Sequence, residues 1–233
     1  MLRNGGEKAM LIPMPHRRLR FIKDNFYHVF NRGNYKSAIF FNDHDYQRFL
    51  EKLKHYKDLY KTHVVAYALM PNHFHLLLEP KADESLAAML KDLQSSHSHY
   101  LSVKHSLQGH LFQGPFKAKL IADEASFLQI FRYISLQPIK EKILQPRFIR
   151  KGDFRILRET PDLVRELRSF RWGSYQGYLN PKNDNLIAKD PVTALLKTPQ
   201  ELSSFVESKL TIDDVIGIEA MEIPPPQRQD PGF

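Results

Sequence analysis

The sequence predicts an α+β fold, with helices laid against an antiparallel sheet, and three observations carry that prediction. Four short segments rich in aromatic and β-branched residues alternate with longer stretches whose apolar residues recur every three or four positions. Two of those short segments are separated only by Met70-Pro71-Asn72, a connection short enough for an antiparallel hairpin and far too short for a parallel crossover. Apolar residues make up 42% of the 233 and aromatics 12%, enough for a sizeable core, which excludes disorder of the whole chain.

Residues 1 to 20 lack hydrophobic periodicity, end in the basic cluster His16, Arg17, Arg18 and Arg20, and read as a flexible basic arm. Phe26 to Arg32 (FYHVFNR) stops at Gly33-Asn34 and is the first strand. Asp43 is placed to cap a helix from about 44 to 60, carried by Tyr46, Phe49, Leu50, Leu53, Tyr56 and Tyr60. Val64 to Leu69 and His73 to Glu79 form the hairpin. After Asp83 a helix reaches about residue 104 on Leu86, Met89, Leu90, Leu93, His97, Tyr100 and Leu101. Phe116 to Ile121 alternates as a fourth strand, and Asp123 caps a third helix built on Phe127, Ile130, Phe131 and Ile134, with Pro138 at its end. The order βαββαβ plus one added helix is the ferredoxin-like, split-βαβ arrangement.

Beyond residue 139 the pattern changes. Seven Lys or Arg face three acids up to residue 159, and helices are expected at 162 to 170, after Asp190-Pro191, and after Thr198-Pro199, where Thr198 and Glu201 have capping-box spacing. From Thr211 the chain carries five acids, one Arg and a Pro224-Pro225-Pro226 run, the composition of a disordered tail. The expected division is a basic arm (1–20), a main domain (21–145), a basic, mainly helical extension (146–210) and an acidic, Pro-rich tail (211–233).

Lys plus Arg outnumber Asp plus Glu by 34 to 26, a net charge of +8 that points to a polyanionic partner, nucleic acid first. With no cysteine, a metal would have to be held by His, carboxylate or amide groups. Neither a signal peptide nor an apolar run near 20 residues is present, so a cytoplasmic protein is expected. The phosphate-cradling GxxxxGK[ST] and GxGxxG patterns are both absent, which argues against a nucleotide cofactor.

The third strand carries the chemistry. Its pleat puts His73, His75, Leu77 and Glu79 on one face and Phe74, Leu76 and Leu78 on the other, so the apolar set should pack under two helices and leave both imidazoles on an open face. Two such imidazoles can chelate one divalent ion, or can simply be two satisfied histidines in a strand. His97-Ser98-His99 repeats the spacing within a helical pattern, where the rings diverge by about 200° and cannot share an ion. His97 should therefore pack beside Tyr100 and His99 should lie on the surface. On the third helix Tyr133 and Gln137 are four apart and share a face, either as a site or as packing, and Pro138 disfavours helical backbone at Gln137.

The strings FNRGN, YALMPNHFHLLLEP, GHLFQGPFKAKLI and RYISLQPIK, in this order and spacing, resemble the single-tyrosine HUH transposases of the IS200-like type, and within them the REP-associated tyrosine transposases, over residues 22 to 145. Arg171 to Leu179 (RWGSYQGYL) also resembles the segment C-terminal to the domain in that branch. The resemblance implies that His73 and His75 are metal ligands, that Tyr133 is the catalytic nucleophile, and that Gln137, where this branch usually has Asn, is a third ligand. It implies Mg²⁺ or Mn²⁺ as cofactor, single-stranded or hairpin DNA as partner, and a 5′-phosphotyrosine intermediate; whether the protein acts as a homodimer stays open. Arg32, Lys117, Lys119, Arg132, Arg147, Arg150 and Lys151 are candidate phosphate contacts, with Phe112 and Phe116 as base-stacking candidates. A nucleic-acid-binding regulator without the chemistry, and a metal-dependent nuclease using water, are the alternative readings.

Overall fold

The computed structural model describes residues 19–143, 149–150, 153–154, 160–180 and 185–208. Strand β1 (Phe26–Arg32), helix α1 (Asp43–Leu59), strands β2 (Thr62–Met70) and β3 (His73–Pro80), helix α2 (Ser85–His105), strand β4 (Lys117–Ile121) and helix α3 (Glu124–Leu136) follow in the order expected from the sequence. The strands lie as β2-β3-β1-β4, every neighbour antiparallel, which is the ferredoxin-like topology.

The start of α1 differs from expectation by one residue. Asn42, rather than Asp43, caps α1: its side chain accepts from the His44 N–H, while the Asp45 carboxylate reaches back to the Phe41 and Asn42 N–H groups. The same buried carboxylate accepts from the Tyr100 hydroxyl and the Lys104 ammonium, pinning α1 to α2. Burial alone would raise its pKa, but Lys104, the Phe41 N–H and Tyr100 together hold it below the usual carboxylate range. Helix α2 follows Asp83 as expected: Asp83 accepts from the Lys23 N–H, and α2 begins after Glu84 in left-handed backbone.

One face of the sheet packs as the alternation requires, with Tyr27, Val29, Phe74, Leu76 and Leu78 buried with Phe49, Leu53, Leu86, Met89, Leu90 and Leu93 of α1 and α2. The opposite face was expected to be open, and it is not. Helix α3 lies across β2 and β3, where Ala66 and Ala68 stand opposite Leu77 and His75 and their small side chains leave room for a helix. Nor is α3 itself amphipathic in its surroundings: every residue from Ile130 to Leu136 is buried.

What covers the outside of α3 is the C-terminal extension. After α4 (Lys140–Ile143) and the paired β5 (Ile149–Arg150) and β6 (Asp153–Phe154) come α5 (Pro161–Ser169), α6 (Tyr175–Leu179), α7 (Asp190–Thr193) and α8 (Pro199–Val206). Tyr178 meets Phe131 of α3 edge to face at 5.0 Å, and Leu163, Leu167, Val192, Leu202 and Val206 join the same apolar core. The extension also covers the edge of β2. Leu69 donates to the Trp172 carbonyl, Ser174 to that of Tyr67 and Ala188 to that of Val64, so backbone groups of an otherwise bare edge find partners. Gly173 sits where a Cβ would lie 3.1 Å from the Phe170 ring and 3.6 Å from the Tyr67 carbonyl oxygen, which accounts for glycine at that crossing. Thr198 caps α8 by accepting from the Glu201 N–H, and Glu201 accepts from Lys197 rather than closing a full capping box. The expected acidic tail, and the expected basic arm apart from Leu19 and Arg20, fall on residues outside those described. Among the described residues no helix is long and apolar enough to cross a membrane.

His97 is buried, packed among Phe40, Phe49 and Tyr100, and its Nε2–H donates to the Ile39 carbonyl at 2.7 Å, while His99 is exposed, both as expected. Burial pushes the His97 pKa down to about 4. An unfolded imidazole takes up its proton near 6.5, so between those values the unfolded chain binds more protons and stability falls as pH falls. Urea unfolding at pH 7 and pH 4.5 should show His97 contributing about 2 to 3 kcal/mol to the loss, and His97→Gln should flatten the profile by that amount. An equally steep profile in the variant would contradict this.

Candidate active site

The β1–β3 register places Phe30 opposite His75 and Arg32 opposite His73, with Ala68 on the other side of His75. His28, two residues along β1 on the same face, is fully buried, and its Nε2 stands 3.0 Å from His75 Nδ1 with the two rings stacked. Above them comes Tyr133 from α3, its ring edge-on to both, with centroids 5.2 Å from His75 and 5.7 Å from His28. His73 lies 5.1 Å from His75, nearly perpendicular to it. One side of the His73 ring meets Asn72 (Nδ1 to Oδ1, 2.6 Å) and the other meets Gln137 (Nε2 to Oε1, 3.4 Å).

Gln137 reaches that point because its backbone stays helical despite Pro138, with φ −49° and ψ −41°. The α-helix ends at Leu136, just before Pro138 as expected, but the chain tightens into a 3₁₀ turn over Gln137–Ile139 and continues into α4, so the Gln137 side chain remains one turn below Tyr133, donating weakly to its carbonyl. Prolines are tolerated in a first helical turn, where no N–H is missed, and Pro138 occupies that position in the new turn. The structure thus brings His73, His75, Tyr133 and Gln137 together, with Tyr133 1%, His75 2% and Gln137 3% exposed. Lys140, counted from sequence only as part of a basic run, places its ammonium 5.2 Å from the Tyr133 ring centroid.

Burial first, then the neighbouring His28, His73, Lys140 and Arg32, hold the His75 pKa well below the ordinary imidazole range, so this ring is neutral near pH 7. The donor chemistry around His73 suits a cation. Asn72 donates from Nδ2 to the Lys36 carbonyl, which turns its Oδ1 toward His73 and makes Nδ1–H the hydrogen-bonded form of that ring. A neutral His73 then presents the Nε2 lone pair toward the lone pairs of Gln137 Oε1, an arrangement that a positive ion relieves. Among the described residues no group of three or more His, Cys, Asp or Glu could hold a metal, so an ion here would draw on two imidazoles and an amide oxygen.

Of the candidate phosphate contacts, Arg32, Lys117 and Lys119 lie on the site's face of the sheet: Lys117 pairs with Phe30 and Lys119 with His28. Burial pushes the Lys119 pKa down. Arg132 does not join them. It is 9% exposed, and its guanidinium donates to the carbonyls of Val206 and Ser208 and to the Ser208 hydroxyl, because α8 ends against α3. Phe112 is likewise unavailable for stacking, buried against Phe74, whereas Phe116 is half-buried beside Phe21. Arg147 and Lys151 lie outside the described residues, and Arg150 is described only as backbone of β5. Sequence reasoning missed His28 and Asn72. The alternation His28, Phe30, Arg32 signalled a polar face on β1, but only the pairing register shows that it faces His75.

Residues 22–137, about half of the chain, match the family described as Transposase IS200 like. A REP-associated tyrosine transposase, solved bound to a REP hairpin, superposes with a TM-score of 0.52 at 15% identity, covering 76% of this chain and 93% of that one. A protein from Deinococcus radiodurans R1, proposed to be a transposase, is 19% identical over 52% of this chain and 98% of its own, with a TM-score of 0.38. No curated protein matches the sequence. The family match defines the class: the chain belongs to the IS200-like transposases.

Removing the Arg132 charge should loosen the extension. Arg132→Gln is expected to lower unfolding stability by about 1 to 3 kcal/mol, the range for hydrogen bonds to a charged group. Unchanged denaturation midpoints would mean that the contacts to Val206 and Ser208 contribute nothing.

Proposed function

We propose that this chain is a single-strand DNA transposase that cleaves and rejoins DNA through Tyr133. The observation that carries the reading is the convergence of the Tyr133 phenol, two histidines and Gln137 beneath one helix, at the positions the family resemblance assigns. The solved relative bound to a REP hairpin supports hairpin DNA as the partner. The +8 charge supports a polyanionic one.

In this reading the Tyr133 oxygen attacks a backbone phosphorus, the O–P bond forms, the bond from phosphorus to the 3′ oxygen breaks, and the departing 3′ oxygen takes up a proton. The phosphodiester energy stays in the protein–DNA link, available for rejoining, and no nucleotide is hydrolysed. His73, His75 and Gln137 would hold Mg²⁺ or Mn²⁺, whose charge polarises the scissile phosphate. Tyr133 enters the reaction pre-oriented, because its ring is fixed by His28 and His75 beneath and Lys140 beside it. The Lys140 ammonium lies 5.2 Å from the Tyr133 ring centroid, a cation–π contact that helps hold the ring in place. Arg32, Lys117 and Lys119 line the approach on the same face, where they can pair with backbone phosphates.

A labelled hairpin oligonucleotide run on a denaturing gel tests this. The parent should give a cleaved product and a covalent protein–DNA band, and Tyr133→Phe should lose both while binding DNA about as tightly, since only the nucleophilic oxygen is removed. Cleavage without a covalent band would favour water as nucleophile, and binding with neither product would favour a regulator. Lys117→Ala with Lys119→Ala should weaken binding and reduce the log-log salt slope by about 0.7 for each phosphate that is no longer neutralised. An unaltered slope would remove these lysines from the interface.

A further inference from the structure

The histidines assigned to the metal are each gripped from behind. We infer that His28 and Asn72 are positioning residues: each accepts the Nδ1–H of one ligand histidine, His28 from His75 and Asn72 from His73, and so turns both Nε2 atoms toward the ion. This rests on the metal reading and extends it to residues outside the ligand set.

Between two imidazoles only one nitrogen of a hydrogen-bonded pair carries the proton. If His28 Nε2 donated to His75 Nδ1, the His75 proton would sit on Nε2 and no lone pair would remain there for a metal. Ligation therefore requires the reverse assignment, in which His75 Nδ1–H donates and His28 keeps its own proton on Nδ1. The register makes the contact unavoidable, since Phe30 pairs with His75 and His28 stands two residues along, completely buried. A fully buried imidazole needs a hydrogen-bond partner, and the His75 ring provides one.

For His73 the grip is built from a strained loop. Asn72 accepts from the Gly33 N–H through its backbone carbonyl, and its side-chain amide donates to the Lys36 carbonyl at 3.3 Å. Tyr35 (φ +50°) and Lys36 (φ +60°) are both in left-handed backbone, a conformation unfavourable for a non-glycine residue. That turn aims the Lys36 carbonyl at Asn72, and with the amide nitrogen engaged there the oxygen is left for His73. Gly33 has to be glycine for the loop to close, because a Cβ would lie 2.1 Å from the Ser37 carbonyl oxygen.

The test uses the full chain with ¹⁵N-labelled histidine. In metal-free protein, long-range ¹H–¹⁵N spectra should show His73 and His75 protonated at Nδ1 with unprotonated Nε2, and a His75 protonated at Nε2 would overturn the role of His28. Mn²⁺ titration followed by electron paramagnetic resonance supplies the second readout. His28→Phe, which keeps an aromatic ring, and Asn72→Ala should each weaken Mn²⁺ binding by about 10- to 100-fold, the usual size for residues behind a ligand. His28→Gln and Asn72→Asp, which keep an acceptor, should recover most of it. Equal Mn²⁺ affinity in parent, His28→Phe and Asn72→Ala overturns the positioning roles while leaving the metal reading intact. A parent that binds no Mn²⁺ overturns the metal reading and this inference with it.

Discussion

Helix α3 closes over a sheet face that carries three imidazoles, and the rest of the structure depends on that closure. A buried imidazole or phenol without partners costs about as much as a core cavity, so the side chains trapped there have to satisfy one another. His28 answers His75, Asn72 and Gln137 flank His73, and Tyr133 stands edge-on above the stacked pair. Moving α3 would separate Tyr133 and Gln137 from both strand histidines at once, because the helix supplies the first two and the hairpin the others. Packing and chemistry are one geometric fact here.

The extension beyond residue 160 is what keeps α3 down. Tyr178 packs on Phe131, Arg132 is tied to the end of α8, and Arg168 pairs with the buried Glu207, which also accepts from Tyr175. The same segment covers the β2 edge through Trp172, Ser174 and Ala188. A sheet whose two faces are both covered explains why β2 is apolar nearly throughout instead of alternating.

Much of this was legible in the sequence because it rests on local periodicity. The four strands, the three long helices and the His73/His75 parity follow from spacings of two and of three to four residues. What could not be read was anything decided across the sheet. The face behind His75 looked open because the alternation of β3 alone does not say what lies above it, and His28 looked like an ordinary strand residue until β1 was placed beside β3. Arg132 read as a surface cation because the partner that buries it sits more than seventy residues away. Asn42 against Asp43 was a one-residue choice between two good capping residues, settled by Asp45 reaching back. Pro138 misled in the other direction: its penalty on Gln137 is real in isolation, but the turn packs well enough to override it.

Tyr133 is the residue that must join to DNA if the chemistry is as proposed, and peptide mapping by mass spectrometry addresses it most directly. After incubation with a hairpin oligonucleotide and Mn²⁺, nuclease trimming and trypsin digestion should leave a nucleotide mass on the peptide Tyr133–Lys140, released by cleavage after Arg132 and Lys140. A nucleotide found on any other tyrosine, or an unmodified Tyr133–Lys140 peptide in a sample whose DNA has been cut, would contradict it.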